Sequence, residues 1–146
     1  MPTTTEARDD LRTEALAAGE RFAALEGELG HEELTRAILA WAAETFGEDL
    51  IVASNMQDAV LVELGAAARP GVDVLFLETG YHFAETIGTR DAVEATMPVN
   101  VLTISPRQSV AEQDAEFGPE LFKRDPDLCC ALRKTHPLDE ALDGRA

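Results

Sequence analysis

Leu11, Ala15, Ala18, Phe22, Leu25 and Leu29 recur at alternating spacings of four and three, so they form one apolar stripe of an amphipathic helix. Gly19 and Gly27 weaken that helix locally. Leu34, Ile38 and Trp41 repeat the pattern over a second helix from His31 to Phe46, with Gly47 as a suitable C-cap. After Gly47 the texture changes. Leu50 to Ala53, Val72 to Leu77 and Val99 to Ile104 are short apolar runs of the kind found in parallel strands covered on both faces. Ser54 to Asp58 is a polar turn, and Asp58 to Ala68 reads as a helix broken by Pro70-Gly71. Glu78 to His82 is a second turn, followed by a helix from about Phe83 to Ala95 that Pro98 stops. Ser105-Pro106 opens another helix through Val110 and Ala115.

Strand, turn and helix therefore alternate three times. This pattern predicts an α/β fold with right-handed βαβ units and a doubly wound parallel sheet, preceded by N-terminal helices. Ligands in such sheets bind at the carboxyl ends of the strands. Two loops qualify by position, Ser54–Asp58 and Glu78–His82.

Composition narrows the class. The 146 residues are the length of one domain, and 45% are hydrophobic. No run of eighteen apolar residues supports a membrane span, and the N-terminus lacks the pattern of a secretory signal. The formal charge of −16 argues against nucleic-acid or anionic-membrane partners. Residues 1 to 49 hold twelve carboxylates against four arginines, half of that excess, and read as a solvated helical surface. Two adjacent cysteines make no disulfide framework, which fits a reducing cytoplasm.

Those cysteines, Cys129 and Cys130, lie in Asp-Pro-Asp-Leu-Cys-Cys-Ala-Leu-Arg-Lys, residues 125–134. Asp125 suits an N-cap and Pro126 the first helical position. The thiols then fall near a helix start, with Arg133 and Lys134 one turn on, a setting that favours thiolate and hence soft-metal ligation or nucleophilic attack. Lys123, Arg124, Arg133 and Lys134 make the segment a basic island in an acidic chain. Burial in a core and a strained vicinal disulfide are the alternatives. Two cysteines do not complete a four-thiolate site.

The first loop, Ser54-Asn-Met-Gln-Asp58, joins a strand to a helix N-terminus, where backbone N–H groups meet anions, and Ser54, Asn55 and Gln57 can add hydrogen bonds. Asp58 as a simple helix cap is the plainer alternative. Neither a Gly-x-Gly-x-x-Gly nor a Walker lysine is present. In the second loop Gly80 allows close backbone approach to a ligand. His82 is a candidate general base without an accompanying nucleophile, and His31 and His136 suggest no chemistry.

Together the segments Ser-Asn-Met-Gln-Asp-Ala-Val-Leu-Val (54–62), Phe-Leu-Glu-Thr-Gly-Tyr-His-Phe-Ala-Glu-Thr-Ile-Gly-Thr-Arg-Asp-Ala (76–92), Val-Ala-Glu-Gln-Asp (110–114) and Cys-Cys-Ala-Leu-Arg-Lys (129–134) resemble the bacterial assimilatory adenylyl-sulfate reductases, most closely the actinobacterial type. The resemblance runs from about Leu34 to Leu142. It implies an adenine-nucleotide α-hydrolase-like fold in which Ser54, Asn55, Met56, Gln57 and Asp58 form a modified phosphate loop. Leu77, Glu78, Thr79 and Gly80 match the family's Leu-Asp-Thr-Gly, with Glu78 in place of aspartate. It also implies that Cys129 and Cys130 are two of four ligands to a [4Fe-4S] cluster that does not cycle electrons. Lys134 would lie between cluster and substrate sulfate.

The implied reaction is thioredoxin-dependent reduction of adenylyl sulfate to sulfite and AMP. By resemblance the family's nucleophilic cysteine and second cysteine pair are missing from this sequence. The expectation is an N-terminal portion of a reductase, with an acidic helical segment over 1–30 and part of the nucleotide-binding domain over 31–146. The implied sheet order is third strand, second, first, with the first left as an apolar edge and the isolated chain prone to self-associate. A non-catalytic nucleotide- or metal-binding remnant, reduction of the 3′-phosphorylated substrate, and ATP pyrophosphatase chemistry are the competing readings. The last is disfavoured by the absence of a Ser-Gly-Gly-x-Asp-Ser loop.

Overall fold

The computed structural model describes residues 4–145. Two helices lead the chain, α1 (Thr4–Leu25) and α2 (His31–Phe46). The α1 stripe is shielded along its length, and Ala18 at its centre is 1% exposed. The helix stops four residues before Leu29, because Gly27 turns the backbone at φ +91°. On α2 the packed face passes through Leu34, Trp41 and Ala42, while Ile38 is left 38% exposed, outside the expected stripe. Trp41 joins the helices. Its ring meets Phe22 and Phe46 edge-on at centroid distances of 6.1 and 5.6 Å, and its Nε1 donates to Glu14 Oε1 at 3.1 Å. That bond, with one from Arg21, holds the Glu14 carboxyl below its ordinary pKa.

Gly47 caps α2, its N–H reaching the Ala43 carbonyl, and a single 3₁₀ turn leads into the sheet. Strands β1 (Ile51–Ala53), β2 (Val72–Leu77) and β3 (Val99–Ile104) are parallel in the order β1-β2-β3, the order expected. Val52 pairs with Val74, and Val74 with Val101. Central β2 has Val72, Val74, Leu75 and Phe76 buried, which is why its sequence is an unbroken apolar run rather than an alternation. The core joins these to Val52, Met56, Val62 and Val93. Each such side chain contributes roughly 1.5–3 kcal/mol on burial.

Helix α3 (Val60–Ala68) covers β1 and β2. It lies so close that a Cβ at Gly65 would stand 3.0 Å from Val52 Cγ2. Helix α4 (Ala84–Thr96) packs on β3. The next helix, α5 (Val110–Phe117), starts five residues later than Ser105-Pro106 suggested. The start is set by a capping box: Ser109 Oγ accepts from the Glu112 N–H, and the Glu112 carboxylate accepts from the Ser109 N–H.

Short α6 (Leu121–Arg124) precedes a continuous helical stretch made of α7 (Pro126–Cys130), a π-turn (Ala131–Thr135) and α8 (His136–Leu142), the last reaching β3. Among the described residues no helix is long and apolar enough to cross a membrane.

Candidate functional site

Both loops begin by pairing with the neighbouring strand. The Ser54 N–H donates to the Leu75 carbonyl at 3.0 Å, and the Glu78 N–H to the Ile104 carbonyl at 2.8 Å. Each then folds through turns in which a polar side chain accepts from the backbone N–H two residues on. Ser54 Oγ takes the Met56 N–H at 3.1 Å, Asn55 Oδ1 the Gln57 N–H at 3.1 Å, and Asp58 Oδ1 the Val60 N–H at 3.0 Å. Glu78 Oε1 takes the Gly80 N–H at 2.8 Å and Thr79 Oγ1 the Tyr81 N–H at 3.3 Å. Three donors expected to face an anion in the first loop therefore already have internal acceptors. These internal bonds hold the curve of the loop.

Met56 is the pin of that curve. It sits in the left-handed region at φ 57°, and its side chain is fully buried in the core. Expected among the residues at the ligand, Met56 instead turns its thioether into the core, where the sulfur accepts from Ser54 Oγ at 3.7 Å. Gln57 is exposed.

The carboxyl ends of β1 and β2 open onto a cavity of about 530 Å³ lined by Ser54, Asn55, Asp58, Leu77, Thr79 and Lys134, together with His82, Leu138 and apolar residues of β1, β2 and α3. Six of the residues expected from sequence thus meet on one wall. Glu78 and Gly80 do not line it. The Glu78 carboxylate closes its own turn and lies 3.9 Å from Arg90 Nη1. Gly80, at φ +80°, makes room for a neighbour: a Cβ there would stand 2.9 Å from Val110 Cγ2 and 3.1 Å from Arg133 Nη2. His82 Nε2 donates to the Leu77 carbonyl at 2.8 Å and its ring lies 4.8 Å from that of Phe76, so the imidazole braces the loop.

Asp125 and Pro126 start α7 as expected, with Asp125 Oδ1 accepting from the Leu128 N–H at 3.0 Å. Both cysteines are free thiols. Cys129 is buried and Cys130 exposed. They line a second cavity of about 450 Å³ with Thr79, Tyr81, Phe122, Pro126, Arg133 and Lys134. Thr79 and Lys134 belong to both cavities. Burial, reinforced by Asp114 and Cys129 nearby, pushes the Tyr81 hydroxyl above its ordinary pKa, while Arg133 opposes the shift.

The basic island is mostly committed to structure, contrary to a simple picture of four cations around two thiols. Lys123 pairs with Glu120. Arg124 donates to the carbonyls of Phe117, Gly118 and Pro119. Arg133, 4% exposed, donates through Nε to the Thr79 carbonyl, and through Nη1 to the Gln108 carbonyl at 3.2 Å and Gln113 Oε1 at 3.1 Å. Lys134 is exposed and is the member of the island without a partner among the described residues. It stands at the rim shared by the two cavities.

The donor set for a cluster is half of what is needed. Two thiols share a cavity wall, four thiolates hold a [4Fe-4S] cluster, and no group of three or more histidine, cysteine or carboxylate ligands occurs among the described residues. Phe122 and Leu138, which line these cavities, and Gln113, buried against Cys129 and Arg133, carry no sequence signal of those positions. Gln113 lay inside a quoted segment, but a buried role for a glutamine on a polar helix has no local signal.

Residues 49–146 match the phosphoadenosine phosphosulfate reductase domain. The adenosine 5′-phosphosulfate reductase of Streptomyces coelicolor is 69% identical over 107 residues, which are 73% of this chain and 45% of that protein. The protein of the same name from Mycolicibacterium smegmatis is 57% identical over 141 residues, 97% of this chain and 56% of that protein. The chain spans about half the length of the curated relatives it matches. In fold it is similar to phosphoadenylyl-sulfate reductase from Candida auris, with a TM-score of 0.60 at 19% identity over 97% of this chain and 63% of that one.

Proposed function

The chain belongs to the phosphoadenosine phosphosulfate reductase domain family, and on that premise we propose that it forms the nucleotide-binding part of an adenylyl-sulfate reductase of assimilatory sulfate reduction. The observation that carries this reading is the convergence of Ser54, Asn55, Asp58, Leu77 and Thr79 on one cavity whose rim carries the unpartnered Lys134. Actinobacterial relatives named for the unphosphorylated substrate support it over the 3′-phosphorylated one.

In this reading the adenosine lies across the carboxyl ends of β1 and β2, and Ser54, Asn55 and Asp58 shape the loop at its phosphate. Met56, Gln57, Glu78 and Gly80 hold the two loops rather than touch the nucleotide by side chain. The sulfonate points past Thr79 toward the cysteine cavity. A cysteine thiolate supplied from outside these 146 residues attacks the sulfur, forming a sulfur–sulfur bond. The sulfur–oxygen bond to phosphate breaks, and its electron pair leaves on AMP. Thioredoxin thiolate then displaces sulfite, and its second thiol resolves the mixed disulfide, so that the thioredoxin dithiol is oxidised. Lys134 holds the sulfonate in place for attack, a cation acting at short range in a molecule of formal charge −16.

Cys129 and Cys130 are cluster ligands in this scheme and not the attacking thiol. A cluster would add local charge beside the sulfonate, and its remaining two thiolates must come from outside these 146 residues. The reading takes 1–30 as an acidic helical segment ahead of the nucleotide-binding region and places the reaction in the cytoplasm, where thiols stay reduced.

Calorimetric titration with adenylyl sulfate, AMP and ATP tests it. Adenylyl sulfate and AMP should bind. Lys134→Ala should weaken adenylyl sulfate by about tenfold and leave AMP within about twofold, the effect of one charge-assisted contact. Absence of binding by both, or preference for ATP with pyrophosphate release, sinks the proposal. Sulfite release by the chain alone, abolished by Cys129→Ser or Cys130→Ser, would reassign the nucleophile.

A further inference from the structure

Gln113 lies on α5, sixteen residues before Cys129 and thirty-four after Thr79, yet its side chain reaches Cys129 directly and Thr79 through Arg133. It is 0% exposed. Its Oε1 accepts from Arg133 Nη1 at 3.1 Å, and its Nε2 stands 3.9 Å from Cys129 Sγ as a donor. The orientation of the amide is dictated by its neighbours. A guanidinium only donates, so the oxygen must face Arg133, and the NH₂ is left to face the sulfur. Arg133 in turn donates through Nε to the carbonyl of Thr79, the residue shared by the two cavities. One buried chain of donors and acceptors thus runs from Cys129 through Gln113 and Arg133 to the turn at the end of β2.

We propose that Gln113 is a positioning residue: by holding Arg133 it sets the place of the Thr79 turn, and it ties that turn to the cysteine helix. A buried guanidinium needs its acceptors, and Gln113 supplies the side-chain one; the others are the main-chain carbonyls of Thr79 and Gln108. Without it Nη1 keeps only the Gln108 carbonyl, and the guanidinium that donates to the Thr79 carbonyl is held less firmly. The packing beside Gly80 amplifies this, because Arg133 Nη2 occupies the space that a Cβ at Gly80 would need.

Two substitutions separate this role from space filling. Gln113→Met keeps the volume and removes both polar ends. Gln113→Glu keeps the acceptor toward Arg133 and removes the donor toward Cys129. Amide hydrogen exchange over residues 79–82 should quicken by about tenfold in Gln113→Met, the loss of one net hydrogen bond, with β3 unchanged. In Gln113→Glu it should stay within about twofold of the unsubstituted chain. A Gln113→Met loop that exchanges like the unsubstituted one would reduce Gln113 to a filler of space. Loosening in Gln113→Glu as large as that expected of Gln113→Met would equally overturn the proposal, because retention of the acceptor would then have had no effect. Titration with AMP adds an arm that rests on the nucleotide reading: its affinity should fall in Gln113→Met and recover in Gln113→Glu. If the unsubstituted chain binds no AMP, the nucleotide reading fails while the exchange comparison still decides the role of Gln113.

Discussion

The two cavities share Thr79 and Lys134 but are built in opposite ways. The cavity at the carboxyl ends of β1 and β2 is walled by loops that fold on themselves, with five side chains each bonding the backbone two residues ahead. The cysteine-side cavity depends on partners far apart in the chain. Arg133 reaches back 54 residues to Thr79, 25 to Gln108 and 20 to Gln113. Local bonds make a site that is shaped before anything binds. Long-range bonds make one whose geometry is only as good as the packing of separate helices.

Substitution at Arg133 breaks the comparison most sharply. Arg133→Met leaves the Thr79 and Gln108 carbonyls and Gln113 Oε1 without a donor, and should cost about 3 kcal/mol, since each buried orphaned acceptor costs about 1–3 kcal/mol. Urea unfolding measures this, and a loss below about 1 kcal/mol would mean that water or a rearranged neighbour replaces the clamp. Ser54→Ala tests the other cavity. It should cost about 1 kcal/mol and speed exchange of the Met56 amide, with residues 129–134 unaffected. A matching change around Cys129 would show that the two cavities are not separately built.

The smallest effect is expected at the opposite end of β2, where Asp73 accepts from Asn100 Nδ2 at 2.8 Å and Arg145 Nη2 at 2.7 Å. Burial alone would raise its pKa, but the bonds from Asn100 and Arg145 outweigh that, and it lies below the ordinary 3.8. A carboxyl whose folded pKa is depressed contributes stability that is complete above 3.8 and is lost as pH falls through the lower folded value. Asp73→Asn should therefore flatten the acid limb of the stability curve and leave neutral-pH ligand affinity untouched. An acid limb that keeps its slope in this variant would assign the effect to other carboxyls.

The strands, the boundaries of α2 and α4 to within a residue or so, and the Asp125-Pro126 helix start all follow from short-range pattern, because periodicity and capping act over a few residues. The same holds for the polar side chains of Ser54, Asn55 and Asp58, which are turn formers whatever surrounds them. The late start of α5 was also legible, in the capping pair Ser109 and Glu112, whereas Ser105-Pro106 four residues upstream lies in the loop before the helix.

Short-range pattern alone carries the alternation of elements, the two loops at the strand ends and the two adjacent thiols at a helix start. The tertiary structure alone decided how the four cations of the island divide, with Lys123, Arg124 and Arg133 taken into ion pairs and carbonyl clamps and Lys134 left at the shared rim. It also decided that Met56 turns into the core and that Gln113 is buried between a guanidinium and a thiol. The physical reason is range. A hydrogen bond across two or three residues is encoded where it forms, whereas burial of a polar side chain depends on which distant acceptors the packing of helices on a sheet brings within 3 Å or so.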